Sequence, residues 1–187
     1  AGAALWISSN TILPVPVAAF DVFGIYFNGL TSGATIHNNS VYYRTPGNTA
    51  ANKTAALGAF SCAGLVVTHN RFSNPGMVTG SIGNIYLDGT VNTVIKFNDL
   101  HSEGTTLSNA YLIYLVNSPG TQVRGNVFSS SWTVTSSSAA IGADAGSIPW
   151  LGADYNAYFS SNGVISLEWG GAGYQFPWSA ATGQDAR

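Results

Sequence analysis

Lys96, Arg124 and Asp154 stand 28 and 30 residues apart, and each lies two positions before an asparagine. Gathered on one face, two cations and a carboxylate could grip an acidic sugar, with Lys96 or Arg124 abstracting a proton. Tyr86, Tyr114 and Trp132 offer a second chemistry, because a ring with an apolar face and a polar tip can stack on a sugar while its tip hydrogen-bonds. Each set has a plainer reading, as a partly neutralised surface stripe or as tyrosines paired across strands. The expectation is therefore no catalytic residue, with Lys96, Arg124 and Asp154 as the only candidates and Tyr86, Tyr114 and Trp132 as ligand contacts.

Other chemistries lack their residues. Two carboxylates flanking a glycosidic bond must be spaced for an intervening water, and the Asn-Thr-Asp, Asp-Asp and Gly-His-Gly runs of polygalacturonases do not occur. A calcium-dependent lyase needs several carboxylates converging beside a basic residue, whereas Asp99 and Glu103 are the nearest pair, with Asp88 before them. His37, His69 and His101 fall in different registers, so no zinc site is expected. Ser is abundant, yet no Gly-x-Ser-x-Gly elbow announces a Ser/His/Asp triad. No column of threonines suggests ice binding. No metal and no cofactor are expected.

The elements that must position these residues come from a repeat. An apolar residue, an asparagine three positions on and an apolar or aromatic residue two beyond recur at Ile7/Asn10/Ile12, Ile36/Asn39/Val41, Val67/Asn70/Phe72, Ile95/Asn98/Leu100, Val123/Asn126/Phe128 and Ala153/Asn156/Tyr158. The asparagines are 29, 31, 28, 28 and 30 residues apart, the period of one supersecondary unit in a stacked array. A second apolar pair, such as Ile85/Leu87 and Ile113/Leu115, recurs between them.

Alternation of apolar residues indicates strands, and Asn28-Gly29, Asp88-Gly89 and Pro119-Gly120 indicate turns. Stacking such units gives an all-β parallel β-helix of about six coils, spanning residues 1–163, with residues 164–187 as a C-terminal capping segment. Asparagine suits the repeated position because its amide can donate to one neighbouring coil and accept from the other. Asn39, Asn70, Asn98 and Asn126 are thus expected to form an internal ladder. The outward column of the second apolar pair reads Tyr26, Gly58, Tyr86, Tyr114 and Gly142, and Arg71 and Asp99 should meet on neighbouring coils. Elastic segments within 43–55, 73–83, 101–110 and 129–139 leave at one corner, the side where repeat arrays often bind.

Only 7% of residues are charged and the net charge is −2 with no basic run, which removes the electrostatic footprint of a nucleic-acid binder. No apolar stretch is long enough for a membrane span, and no leader is visible. Without a starting Met, the chain is expected to be a processed product or the ordered part of something longer. Cys62 is the single cysteine and is expected to be a small buried apolar residue.

The repeat resembles the right-handed parallel β-helix family of the pectin-lyase-like fold over nearly the whole chain. More narrowly, Gly24-Ile-Tyr-Phe-Asn-Gly through Ile36-His-Asn-Asn-Ser-Val-Tyr-Tyr43, Asp154-Tyr-Asn-Ala-Tyr158 and Trp178-Ser-Ala-Ala-Thr-Gly-Gln-Asp185 are similar to β-helix regions of large secreted surface proteins of Bacteroidota. That resemblance implies an extracellular or cell-surface setting, export by the type IX system, and a noncatalytic structural or adhesive module that contacts glycans or a partner protein. The same fold hosts polysaccharide lyases and glycoside hydrolases acting on acidic polysaccharide, which is the alternative.

Overall fold

The computed structural model describes residues 5–15, 21–43, 53–74, 83–103, 110–131, 139–149, 151–161 and 166–175. Among these the chain is all β, a solenoid of parallel stacked sheets. One sheet joins Leu5–Ser8, Ala34–His37, Leu65–Thr68, Val94–Lys96, Gln122–Arg124 and Gly152–Asp154. A second joins Thr11–Ile12, Ser40–Tyr42, Arg71–Asn74, Asp99–Ser102, Val127–Ser130 and Ala157–Ser160. The third joins Val22–Asn28, Thr54–Phe60, Ile85–Asp88, Tyr111–Val116, Ala139–Ala143 and Ser166–Trp169, and ends in the antiparallel strand Ala172–Gln175.

Registers follow the sequence period, so one apolar position repeats as a column inside the stack. Ile36, Val67, Ile95 and Val123 form such a column in the first sheet, and Val41, Phe72, Leu100 and Phe128 form one in the second. All eight are buried, and they meet Leu57, Ile85, Ile113 and Ile141 of the third sheet in one core. The third sheet breaks simple alternation. Leu112 and Ile113 both enter the core, as do Ala140 and Ile141, so the wall bends there and Tyr111 turns outward beside Tyr114.

Between the first and second sheets, each coil turns on a residue in the left-handed region followed by the repeated asparagine. The φ values are 57° at Ser9, 54° at Asn38, 57° at His69, Phe97 and Tyr155, and 63° at Gly125. For a residue with a Cβ this conformation costs roughly 1–2 kcal/mol. The asparagines provide the offset. The N–H of Asn70 donates to Asn98 Oδ1 at 2.9 Å, its Nδ2 donates to the same oxygen at 3.0 Å, and Nδ2 also reaches Ile36 O at 2.9 Å. Asn10, Asn39, Asn98 and Asn126 repeat this pattern, each toward the asparagine that follows.

A second ladder, chemically mixed, runs where the third sheet turns into the first. Leu30 N–H donates to Cys62 Sγ at 3.4 Å, Cys62 N–H to Thr90 Oγ1 at 3.4 Å, Thr90 N–H to Ser118 Oγ at 3.2 Å, and Ser118 N–H to Ser147 Oγ at 2.9 Å. Cys62 is buried, but it is not simply an apolar filler: its sulfur stands where neighbouring coils place a hydroxyl, and it contacts Phe60 O at 3.1 Å.

Ser166–Trp169 and Ala172–Gln175 are joined by Gly170 and Gly171, with φ of 61° and 82°. Two positive φ values suit a tight type I′ hairpin, which reverses the chain and covers an otherwise open edge of the third sheet. The segments 44–52, 75–82, 104–109 and 132–138 each connect the second sheet to the third and lie outside the described residues, as do Trp132 and the stretch from Phe176 to Arg187.

Candidate functional site

Lys96, Arg124 and Asp154 stand in register as an outward column of the first sheet. They do not converge into a carboxylate-rich centre. Lys96 leans toward the Phe97 ring, its Nζ 5.9 Å from the centroid, a weak cation–π contact. Arg71 and Asp99, expected to meet, do so at 3.5 Å on exposed side chains, a pair worth roughly 0–1 kcal/mol. Among the described residues no group of three His, Cys, Asp or Glu side chains could hold a metal ion.

Tyr86 and Tyr114 are adjacent, with ring centroids 6.0 Å apart. Tyr86 is only 3% exposed, however, and its edge is occupied: the hydroxyl donates to Asp88 Oδ2 at 2.9 Å and accepts from Lys53 Nζ at 3.0 Å. Tyr111 stacks on Tyr114 at 4.3 Å and donates its hydroxyl to Glu168. Its ring lies flat over Gly142, where an added Cβ would come within 2.5 Å of it, and Phe23 lies over Gly58 in the same way. The outward glycines are therefore recesses filled by neighbouring rings. This tyrosine wall is largely self-satisfied, leaving Tyr26 at one end as its exposed ring.

Burial holds the phenols of Tyr43, Tyr86, Tyr111 and Tyr114 above the usual 10.0, reinforced by Asp88 beside Tyr86 and by Glu168 beside Tyr111 and Tyr114. A raised folded value means that the folded state favours the neutral phenol. The resulting stability is complete below the unfolded value near 10.0 and is lost as pH climbs above it. Denaturant midpoints should hold steady up to about pH 10 and then fall. In a spectrophotometric titration the phenolate signal of these four tyrosines should appear together with unfolding; early, reversible ionisation of all nine tyrosines would contradict their burial.

A row of rings lies elsewhere, running from the first sheet onto the corner that carries the positive φ values. Trp6 and His37 are 5.9 Å apart, His37 and His69 5.2 Å, and His69 and Phe97 5.5 Å between ring centroids. Trp6 is 60% and Phe97 54% exposed. The Phe97 ring extends over Gly125 of the next coil, which has no side chain to displace it. His37 precedes its asparagine by two positions and His69 by one, so a column count separates them. The left-handed turn swings the side chain back along the axis and joins them into one ribbon. Aromatic residues immediately before Asn70 and Asn98 were the available signal for His69 and Phe97.

On the second sheet, His101 lies in register with Ser73 and Ser129. Its Nδ1 is 2.8 Å from Ser129 Oγ and its Nε2 is 2.8 Å from Glu103 Oε1. No Gly-x-Ser-x-Gly elbow is involved; a Ser–His–Glu chain is assembled instead by parallel strand register.

Comparison of the chain with protein-family models, with curated proteins and with solved structures finds no match.

Proposed function

We propose that this chain is a structural or adhesive module of a large secreted bacterial cell-surface protein, and that it contacts glycans along the ribbon Trp6, His37, His69 and Phe97. The observation that carries this reading is the ribbon itself: four rings in line at 5.2–5.9 Å intervals on a sparsely charged surface. Rings exposed in sequence along a rigid axis suit the apolar faces of successive sugars, and hydroxyls and imidazoles beside them supply hydrogen bonds. Thr68 Oγ1 already pairs with His69 Nδ1 at 2.7 Å, fixing that ring's orientation.

The pectin-lyase-like, right-handed character and the Bacteroidota, type IX setting rest on the I-x-x-N-x-[VF] repeat, on Asp154-Tyr-Asn-Ala-Tyr158 and on the Trp178 to Asp185 run. Action on acidic polysaccharide has less support, because Lys96, Arg124 and Asp154 form a line without a second carboxylate. Among the described residues no helix is long and apolar enough to cross a membrane.

Affinity electrophoresis through gels containing neutral or acidic polysaccharides tests the reading. Retardation by at least one glycan is expected, with Trp6→Ala and Phe97→Ala each weakening it by about 1 kcal/mol, roughly fivefold in Kd. Undiminished retardation in the double variant would remove the ribbon from the account. Release of unsaturated ends from pectate or alginate with calcium, abolished by Lys96→Ala, would move the assignment to a lyase.

A further inference from the structure

We propose that Ser129, His101 and Glu103 form a nucleophilic site for carboxylic esters on the outward face of the second sheet, a role independent of glycan contact at the ribbon. The argument starts from hydrogen-bond inventory. An ionised Glu103 can only accept, so at 2.8 Å from Nε2 it selects the tautomer that carries its proton there. Nδ1 is then a lone pair, and the partner it faces at 2.8 Å is the Ser129 hydroxyl, which must donate. Nucleophile, base and orienting carboxylate are thereby set in the order acyl transfer requires.

Each member is held by the scaffold. His101 and Ser129 occupy paired positions on adjacent parallel strands, Glu103 N–H donates to Asn74 O at 3.3 Å, and Ser131 N–H donates to Ser102 O at 3.1 Å. His101 is about one-third exposed and Glu103 about half, so a substrate reaches the pair from solvent. Phe159, 62% exposed and in register beyond Ser129, offers an apolar surface for an acyl or aryl group.

In the first step Ser129 Oγ bonds to the ester carbonyl carbon as its proton passes to His101 Nδ1. The bond to the leaving oxygen then breaks, and that oxygen departs as the alcohol or phenol with the proton from Nδ1. Glu103 remains ionised and stabilises the transient imidazolium. Water then attacks the acyl-serine, giving a proton to Nδ1; the bond from the acyl carbon to Oγ breaks as Nδ1 returns that proton to Ser129, and the carboxylic acid departs. General base assistance of this kind contributes about 10²–10⁴-fold, which favours esters with good leaving groups.

The intact chain should be treated with a fluorophosphonate, which bonds to an activated serine through phosphorus with loss of fluoride, and mapped by peptide mass spectrometry. Ser129 is expected to be modified well ahead of the other serines. His101→Gln should slow this at least tenfold and Glu103→Gln several-fold, whereas Ser73→Ala, on the other side of His101, should leave it unchanged. p-Nitrophenyl acetate should acetylate the same residue. Labelling spread evenly over the serines of the unsubstituted chain would overturn the proposal without recourse to any variant. So would Ser129 labelling at an unaltered rate in His101→Gln.

Discussion

Asn98→Ala should lower the unfolding free energy by about 3–5 kcal/mol, a large share of the roughly 5–15 kcal/mol typical of a folded domain. Asn98 is 2% exposed. Its Oδ1 accepts both the N–H and the Nδ2 of Asn70, and its own Nδ2 donates to Asn126 Oδ1 and Val67 O. Truncation leaves the Asn70 N–H buried without a partner and strips a hydrogen bond from Asn70 Nδ2, Asn126 Oδ1 and Val67 O, with an unmet buried group costing about 1–3 kcal/mol. It also removes the bonds that hold Phe97 at a φ of 57°. Asn98→Asp should be no better, since a second oxygen would face Asn126 Oδ1 and Val67 O and bring an unpaired charge into the stack. Asn10→Ala provides the comparison: Asn10 is exposed at the edge of the ladder, and its loss should cost under about 1 kcal/mol because water replaces the missing bonds. Urea titration of the three variants measures the differences. Equal destabilisation by Asn10→Ala and Asn98→Ala would mean that the ladder contributes no more inside the stack than at its rim.

The architecture was legible because its period is written in one residue type. Asparagine alone can donate forward and accept backward while closing a left-handed corner, so successive coils select it and the spacing is visible without coordinates. The second corner solves the same problem with any small donor–acceptor, and Cys62, Thr90, Ser118 and Ser147 share no residue type for a periodic search to find. Outward columns were readable as far as strict alternation extends, which placed Lys96 beside Arg124 and Arg71 beside Asp99. They failed as guides to exposure. Tyr86 points outward yet is covered, because Phe60 and Tyr114 flank its ring and Lys53 and Asp88 close over its hydroxyl.

The two candidate sites were hidden for related reasons. His69 and Phe97, at positive φ, leave the column that their number assigns them and meet the strand residues Trp6 and His37, so the ribbon draws on different registers. Ser129 and His101 are 28 residues apart and meet only because parallel pairing carries the asparagine register three positions further along the strand. A motif search looks for chemistry contiguous in sequence. A solenoid builds it across coils, where the repeat length takes the place of the motif.

Gly33→Ala should cost about 2–4 kcal/mol even though it adds one methyl group. Gly33 has a φ of 78°, where a Cβ is penalised by roughly 1–2 kcal/mol, and that Cβ would stand 2.8 Å from the carbonyl oxygen of Gly64 in the adjoining coil. Backbone cannot rotate aside as a side-chain tip can, so relief requires the coils to separate and stretches the hydrogen bonds on both flanks. Gly29→Ala isolates the two contributions, since Gly29 has a φ of 70° but nothing within 4 Å of its added Cβ. It should cost only the conformational part, about 1 kcal/mol, in keeping with Ser61 at a φ of 50° in the corresponding position of the next coil. A Gly33→Ala loss larger than the Gly29→Ala loss by 1 kcal/mol or more would measure how tightly adjacent coils are apposed at that corner. Equal losses would show that the stack can open there, and the rigidity assumed for the ring ribbon on the opposite edge of the same sheet would have to come from the asparagine ladder alone.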